Sequence, residues 1–321
     1  METFGQCAIA ALEKHSQKMV KHEAGVYADQ DPEALHQMRV GMRRLRTALV
    51  GFSRAIEMPK AVREKKVGKI ARELGTLRDL DVLKASLETH YFPTLPHGEQ
   101  SDLQAVFKQL EKQRQQAYKK VIKALESKPY QHLKTGLHRW LESPQLSAIA
   151  PLPITTVLPD LLLPHVSNLL LHPGWFVGQD TDLDAATLLD QQGETLHSLR
   201  KAAKKCRYQM ELFTHCYGEP YQQYVKQVKA IQSILGDIQD SVVLGEFLTN
   251  CWGHAVSTEF PTLAEQLTAF RQEKWQEWEQ LQQYFLNAAT RNNFRLTVQN
   301  PDLEVETDDT NNQPLGSIAT L

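Results

Sequence analysis

The sequence predicts an all-α protein built by duplication. Apolar residues recur at three- and four-residue spacing along nearly the whole chain. No stretch alternates as a strand, apart from a weak candidate at 294–298. The chain also matches itself without gaps at an offset of 161 positions, pairing His36 with His197, Arg39 with Arg200, Phe52 with Phe213, Pro59 with Pro220, Gly75 with Gly236 and Asp79 with Asp240.

In chain order, residues 2–28 carry Ile9, Leu12, Met19 and Val20 at helical spacing and break at Asp29-Gln30-Asp31-Pro32. Asp31 followed by Pro32 reads as an N-cap and first helical residue. The helix it opens runs to about residue 56 and stops before Pro59. A helix over 60–75 ends near Gly75, and 78–90 resumes it as far as the loop 92–98. A long helix over 101–126 follows, with Leu103, Phe107, Leu110, Ala117, Val121 and Leu125 as its core stripe. A shorter one over 130–141 buries Trp140. The Pro-rich stretch 144–153 separates the halves. In the second half the helices are 155–172, 190–216, 220–236, 238–252 and 258–289, with 174–187 as a long connection and Trp275 and Trp278 in the core.

The element that singles this chain out is the helix from residue 32. At about 100° per residue, His36, Arg39, Arg43 and Arg46 fall within an arc of roughly 80°. Leu35, Met38, Met42, Leu45 and Leu49 form the adjoining apolar stripe. The second copy repeats both stripes, with His197, Arg200, Lys204 and Arg207 beside Leu196, Leu199, Ala203, Cys206 and Met210. Arg44 and Lys205 lie about 80° from the histidines, towards the ligand edge, solvent or a second helix. Lys201 completes the basic run. A further cationic stripe follows at Lys65, Lys69 and Arg72, weakened in its repeat to Lys226 and Lys229.

Like charges at i,i+4 destabilise a helix by a few tenths of a kcal/mol each, and no acid lies between Glu33 and Glu57 to relieve them. A lone cationic stripe is ordinarily a solvated face. Solvent exposure, however, does not fix residue type position by position in two copies, whereas an anionic ligand does.

Laid out in this way, the chain resembles the CHAD family (conserved histidine α-helical domain). The resemblance rests on the doubled His-x-x-Arg-(x)3-[Arg/Lys]-[Arg/Lys]-x-Arg helix and on Leu74-Gly-Thr-Leu-Arg78-Asp79-Leu-Asp81-Val-Leu83. The second copy of the latter keeps Gly236 and Asp240 but loses the arginine and the second aspartate. The resemblance implies two four-helix bundles related by a pseudo-twofold axis, with the basic helices lining a central cavity that binds inorganic polyphosphate. It implies a CHAD domain over 1–290, in halves 1–150 and 151–290. Residues 291–321 are then a disordered acidic tail, since 297–321 hold five acids and no base.

On this reading the ligand set is His36, Arg39, Arg43, Arg44, Arg46, Lys65, Lys69, Arg72, His197, Arg200, Lys201, Lys204, Lys205, Arg207, Lys226 and Lys229. Arginine forks suit phosphate oxygens. The two histidines act either as hydrogen-bond donors that gain a proton near phosphate or as helix-packing residues. Asp79 and Asp240 steady the basic side chains.

Composition limits the alternatives. The net charge is −2, yet residues 32–84 carry thirteen Lys/Arg against six Asp/Glu, so an anion is drawn to one place on the chain. Nucleic acid is an unfavoured partner, because the motif helices lack interleaved aromatics. Cys7, Cys206, Cys216 and Cys251 show no metal-like spacing and read as reduced thiols in a cytosolic protein. The apolar run 158–171 is interrupted and too short to span a membrane. No phosphate loop, HExxH or GxSxG appears. The sequence therefore predicts a binding protein that is not an enzyme and needs no cofactor, placed in the cytosol or at polyphosphate granules.

Overall fold

The computed structural model describes residues 2–179, 181 and 183–302. Among these the chain is all-α. Its first half comprises α1 (Phe4–Lys21), α2 (Glu23–Ala28), α3 (Pro32–Gly51), α4 (Glu64–Ser86), α5 (His97–Leu125) and α6 (Lys128–Glu142). Its second half comprises α7 (Ile154–Leu170), α8 (Ala185–Leu212), α9 (Glu219–Trp252), α10 (Val256–Glu259), α11 (Pro261–Leu286) and α12 (Ala288–Gln299).

Five helix starts are set by side chains that accept otherwise unpaired amide N–H groups: Thr3, Asp31, Ser127, Asp184 and Asn287. Asp31 accepts from the Glu33 amide at 2.8 Å, ahead of Pro32, as the sequence predicts. Thr3 and Gln6 form a reciprocal capping box.

Neighbour relations repeat between the halves. α1 packs on α3, α3 on α4 and α4 on α5; likewise α7 packs on α8, α8 on α9 and α9 on α11. The halves meet where α3 and α8 cross. There Phe52 and Phe213, equivalent in the duplication, touch edge to face at 5.3 Å between ring centroids. Gln209 donates to the Thr47 carbonyl at 3.3 Å. A Cβ on Gly51 would sit 2.6 Å from the Gln209 oxygen and 3.0 Å from a Leu212 methyl, so a larger residue there would displace the side chains that make the crossing.

A second, smaller core joins the far ends. Leu87, Leu95, Leu103, Val106 and Leu110 pack there against Leu244, Leu248, Phe260, Leu263 and Leu267. Buried Glu99 of α5 accepts from the Thr262 and Leu263 amides at 2.9 and 3.1 Å, placing a carboxylate on the start of α11. Trp140, Trp275 and Trp278 are buried, as the sequence predicts.

Several boundaries differ from the sequence reading. Neither Gly75 nor Gly236 ends a helix: α4 and α9 run through them, because the missing side chain admits an arginine from the neighbouring helix. The motif helix ends at Gly51, not near 56. The stretch 258–289 divides at Asn287, and α8 starts at Ala185, inside the expected connection. The weak strand at 294–298 is helical, with Phe294 and Val298 buried at i,i+4 spacing. Residues 291–299, which the sequence reading assigns to a disordered tail, are instead part of α12, which packs on α7 and α9. Residues 303–321 lie outside the described set. A window longer than the interrupted run does qualify: Ile154–Phe176 is long and apolar enough by length and composition to cross a membrane. In this fold its helical part is α7, with Leu158, Leu162 and Val166 fully buried.

Replacing Glu99 with Ala leaves two amides at the start of α11 without partners. It should lower the unfolding free energy by about 2 kcal/mol, read from urea denaturation, whereas Glu88→Ala on the surface should leave it within about 0.5 kcal/mol.

Candidate functional site

The apolar stripes of α3 and α8 are buried, and this fixes where the basic ones go. Leu35, Met38, Met42, Leu45 and Leu49 enter the core, as do Leu196, Leu199, Ala203, Cys206 and Met210. His36, Arg39, Arg43, Arg46, His197, Arg200 and Lys204 are left half-buried at the edge of that core, and Arg207 is buried. Because α3 and α8 cross, the rows of the two halves come together. The Arg43 guanidinium lies 4.6 Å from the centroid of the Tyr208 ring, and Arg207 lies 4.7 Å from the same centroid. Burial, followed by the charges of Arg39, Arg200 and Arg43, pushes the Lys204 amine down to about 8. Lys204 thus stands among guanidinium groups from both halves. Arg43 is likewise held below its ordinary value by burial, with Arg207 and Arg39 adding to the effect against Tyr208 and Glu211.

Each central arginine has a counter-ion one helix away. Arg39 and Asp79 are 3.6 Å apart; Arg200 and Asp240, the same pair in the other half, are 3.7 Å apart. Both separations exceed a direct hydrogen bond, so the carboxylates balance charge without saturating the donors. A Cβ on Gly75 would come within 3.7 Å of the Arg39 Nε, and one on Gly236 within 3.1 Å of the Arg200 guanidinium. The arginines therefore lie against bare backbone. Several buried donors have no partner: Arg43 Nε, Arg200 Nε, and the Nδ1 atoms of His36 and His197. Burial lowers both histidines from their ordinary value. Arg78 is the leading charge in the same direction at His36, and Lys201 at His197. Both shifts favour the neutral imidazole.

The remaining residues of the predicted ligand set are placed differently. Arg46 is bound to Glu64, with Nε 2.9 Å from Oε1, and lies on Gly68. In the second half Glu64 and Gly68 are replaced by Val225 and Lys229. Arg207 therefore has no such seat and turns to Glu211, 3.1 Å away on its own helix. Arg44 faces α1, where its charge lowers His15 and Lys18; Lys205 faces α7, where it lowers His165. Lys201 pairs with Glu194 at 3.6 Å, away from the cluster. These three do not join it, because their angular offset aims them at the neighbouring helix or outward. Lys65, Lys69, Arg72, Lys226 and Lys229 are exposed along α4 and α9. Of these, Lys65, Arg72, Lys226 and Lys229 fall on the helix stripes that end at Asp79 and Asp240.

Two residues of the cluster are missing from the predicted ligand set: Tyr208, which lies between Arg43 and Arg207, and Arg78, which the sequence shows only as part of the Leu74–Leu83 motif and which lies near enough to lower His36. A hollow of about 180 Å3 abuts the second-half row, and one of about 610 Å3 lies between α1 and α6, away from the cluster. His197 lines the smaller one, with Glu194 and Glu246.

Comparison with known proteins gives the family and the fold. The family model for the CHAD domain matches residues 10–249. The crystal structure of the CHAD domain from the plant Ricinus communis is similar, with 26% identity over 92% of each chain and a TM-score of 0.57. PptA from Streptomyces chartreusis shares the fold, with a TM-score of 0.59 over 94% of this chain and 100% of that one at 15% identity. No curated protein matches. With the family model spanning residues 10–249 and the doubled basic helix in place, this chain belongs to the CHAD domain family.

Proposed function

We propose that this protein binds inorganic polyphosphate without transforming it, at a basic cavity between its two halves. The observation that carries the reading is the meeting of both cationic rows at Lys204, with buried arginine and histidine donors unpartnered around it. A polyanion restores what that arrangement lacks: negative charge beside several guanidinium groups, and acceptors for N–H groups that no protein atom satisfies. Asp79 and Asp240, held at long range, give way to phosphate oxygens at small cost. The exposed Lys65, Lys69, Arg72, Lys226 and Lys229 extend the positive array along α4 and α9, which suits a long flexible anion better than a single phosphate. The cavity, the bundle symmetry and a place in the cytosol or at polyphosphate granules all belong to this proposal.

A nucleic-acid or acidic-protein ligand is the second reading. Tyr208, the aromatic ring among the clustered arginines, is engaged by two guanidinium groups, so it offers no free face for base stacking. A hydrolase is disfavoured because the two repeated carboxylates face arginines.

Long-chain polyphosphate should bind with an affinity that falls as salt rises. Arg43→Glu and Lys204→Glu should each weaken it about tenfold or more, and duplex DNA at equal charge should compete poorly. Calorimetric titration measures both. An unchanged affinity in Lys204→Glu refutes the reading, and equal competition by DNA favours the second one.

The pH dependence follows from Lys204. Its amine loses charge as pH rises through about 8, so affinity should fall between about pH 7 and pH 9, while Lys204→Arg should flatten that profile. In the free protein the effect on stability is opposite in sign. A depressed lysine destabilises fully while both folded and unfolded states are protonated, and that burden lifts as pH rises above about 8.

A further inference from the structure

A second group of chemically reactive side chains comes together away from the basic cluster. Glu2 lies ahead of α1, Cys7 lies in its first turns, and His215 lies in the short turn that follows α8. A carboxylate oxygen, a thiol sulfur and an imidazole nitrogen from these residues lie within 4.8 Å of one another. His215 Nε2 is 3.7 Å from Glu2 Oε2. Cys7 is buried, while Glu2 and His215 are open to solvent, so the site has a closed floor and an accessible mouth.

Backbone bonds outside the cluster hold each donor. The Cys7 amide donates to the Thr3 carbonyl at 3.0 Å, and the Ile154 amide donates to the Glu2 carbonyl at 3.0 Å. The turn that carries His215 is closed by the Cys216 amide on the Phe213 carbonyl at 3.0 Å, and the Asp302 amide donates to the Cys216 carbonyl at 2.9 Å. Two remote segments of the chain thus converge, the N-terminal one carrying Glu2 and Cys7 and the turn after α8 carrying His215, which is why spacing in the sequence gives no hint of them.

The donor set is specific in its chemistry. One thiol, one imidazole and one carboxylate match a borderline divalent ion such as zinc, which takes four ligands in a tetrahedron. Ligands in such a site stand roughly 3.3–3.8 Å apart, given metal–ligand bonds of about 2.0–2.3 Å. The observed spacing therefore needs only side-chain rotation to close. A buried thiol alone is ordinary packing, and a surface His–Glu pair alone is an ordinary ion pair. Here a thiol, an imidazole and a carboxylate from two ends of the fold face one point.

We propose that Glu2, Cys7 and His215 form a binding site for a zinc-class divalent cation, with one coordination position left to water. Binding forms a sulfur–metal bond and releases the Cys7 thiol proton to solvent; no oxidant or reductant is involved. The bound ion ties the N-terminal segment to the end of α8, and so one half of the molecule to the other. This inference stands apart from the polyphosphate reading.

The test uses the full chain, reduced, stripped with chelator and kept in phosphate-free buffer. One equivalent of Co2+ should produce a sulfur-to-cobalt charge-transfer band in the near ultraviolet, and Zn2+ should remove it and raise the melting temperature. Cys7→Ser should abolish the band, and Cys216→Ser should leave it. His215→Ala alters an exposed residue that the fold does not need, and should weaken Co2+ binding about tenfold or more. The proposal is overturned by the absence of a band at one equivalent, by a band that survives Cys7→Ser, or by unchanged affinity in His215→Ala.

Discussion

Like-charge repulsion where α3 crosses α8 is the constraint around which the rest of the molecule is arranged. Burial, together with the charges of Arg39, Arg200 and Arg43, pushes Lys204 down to about 8, and Arg207 acts in the same way on Arg43. Water alone would relieve that repulsion if the side chains could swing outward, but the apolar stripes on the same helices anchor them to the core. Burial of Leu45, Met42, Cys206 and Met210 thus fixes the position of the charges beside them. The Phe52–Phe213 contact and Gly51 then set how near the two helices come. Asp79 and Asp240 temper the positive potential from the next helices without neutralising it. What remains is a cluster of half-buried cations whose charge is only partly balanced, and the proposed polyphosphate binding rests on that imbalance.

Much of this is legible in the residues themselves, because helical periodicity and the 161-residue offset are one-dimensional facts. The all-α class, the N-cap at Asp31 and the shared face of His36, Arg39 and Arg43 follow from angle and spacing alone. The errors occur where tertiary contact decides. Gly75 and Gly236 look like helix ends by propensity, yet each is a flat place on a helix against which an arginine lies. Residues 294–298 look extended because Phe294, Leu296 and Val298 alternate. The structure instead uses Phe294 and Val298 as i,i+4 anchors of α12, with Leu296 exposed. The aim of Arg44 and Lys205 towards α1 and α7 could not be read without knowing which helices flank the motif. The Glu2–Cys7–His215 group belongs to the same category, since no local pattern brings positions so distant into contact.

The repeats also show how duplication is edited. Residues that make the crossing, Phe52 and Phe213, and those that balance it, Asp79 and Asp240, persist in both halves. Residues one turn further out diverge: Asp81, which takes the Arg114 side chain at 2.8 Å, is matched by Val242, and Arg78 by Gln239. The first half thereby gains an ion-paired brace between α4 and α5, while the equivalent place in the second half carries the half-buried Val242, which lines a hollow.

The replacement of Gly68 by Lys229 carries this asymmetry into the site itself. On one flank Arg46 lies on the backbone of Gly68 and is claimed by Glu64; on the other the equivalent position carries the exposed Lys229, and Arg207 lies over the Tyr208 ring. A polyanion whose two ends are chemically identical would therefore experience unequal potentials on the two sides. If the proposed polyphosphate site is correct, the duplicated surface therefore has a polarity, and a threadlike ligand lying across it would take a direction that its own chemistry lacks.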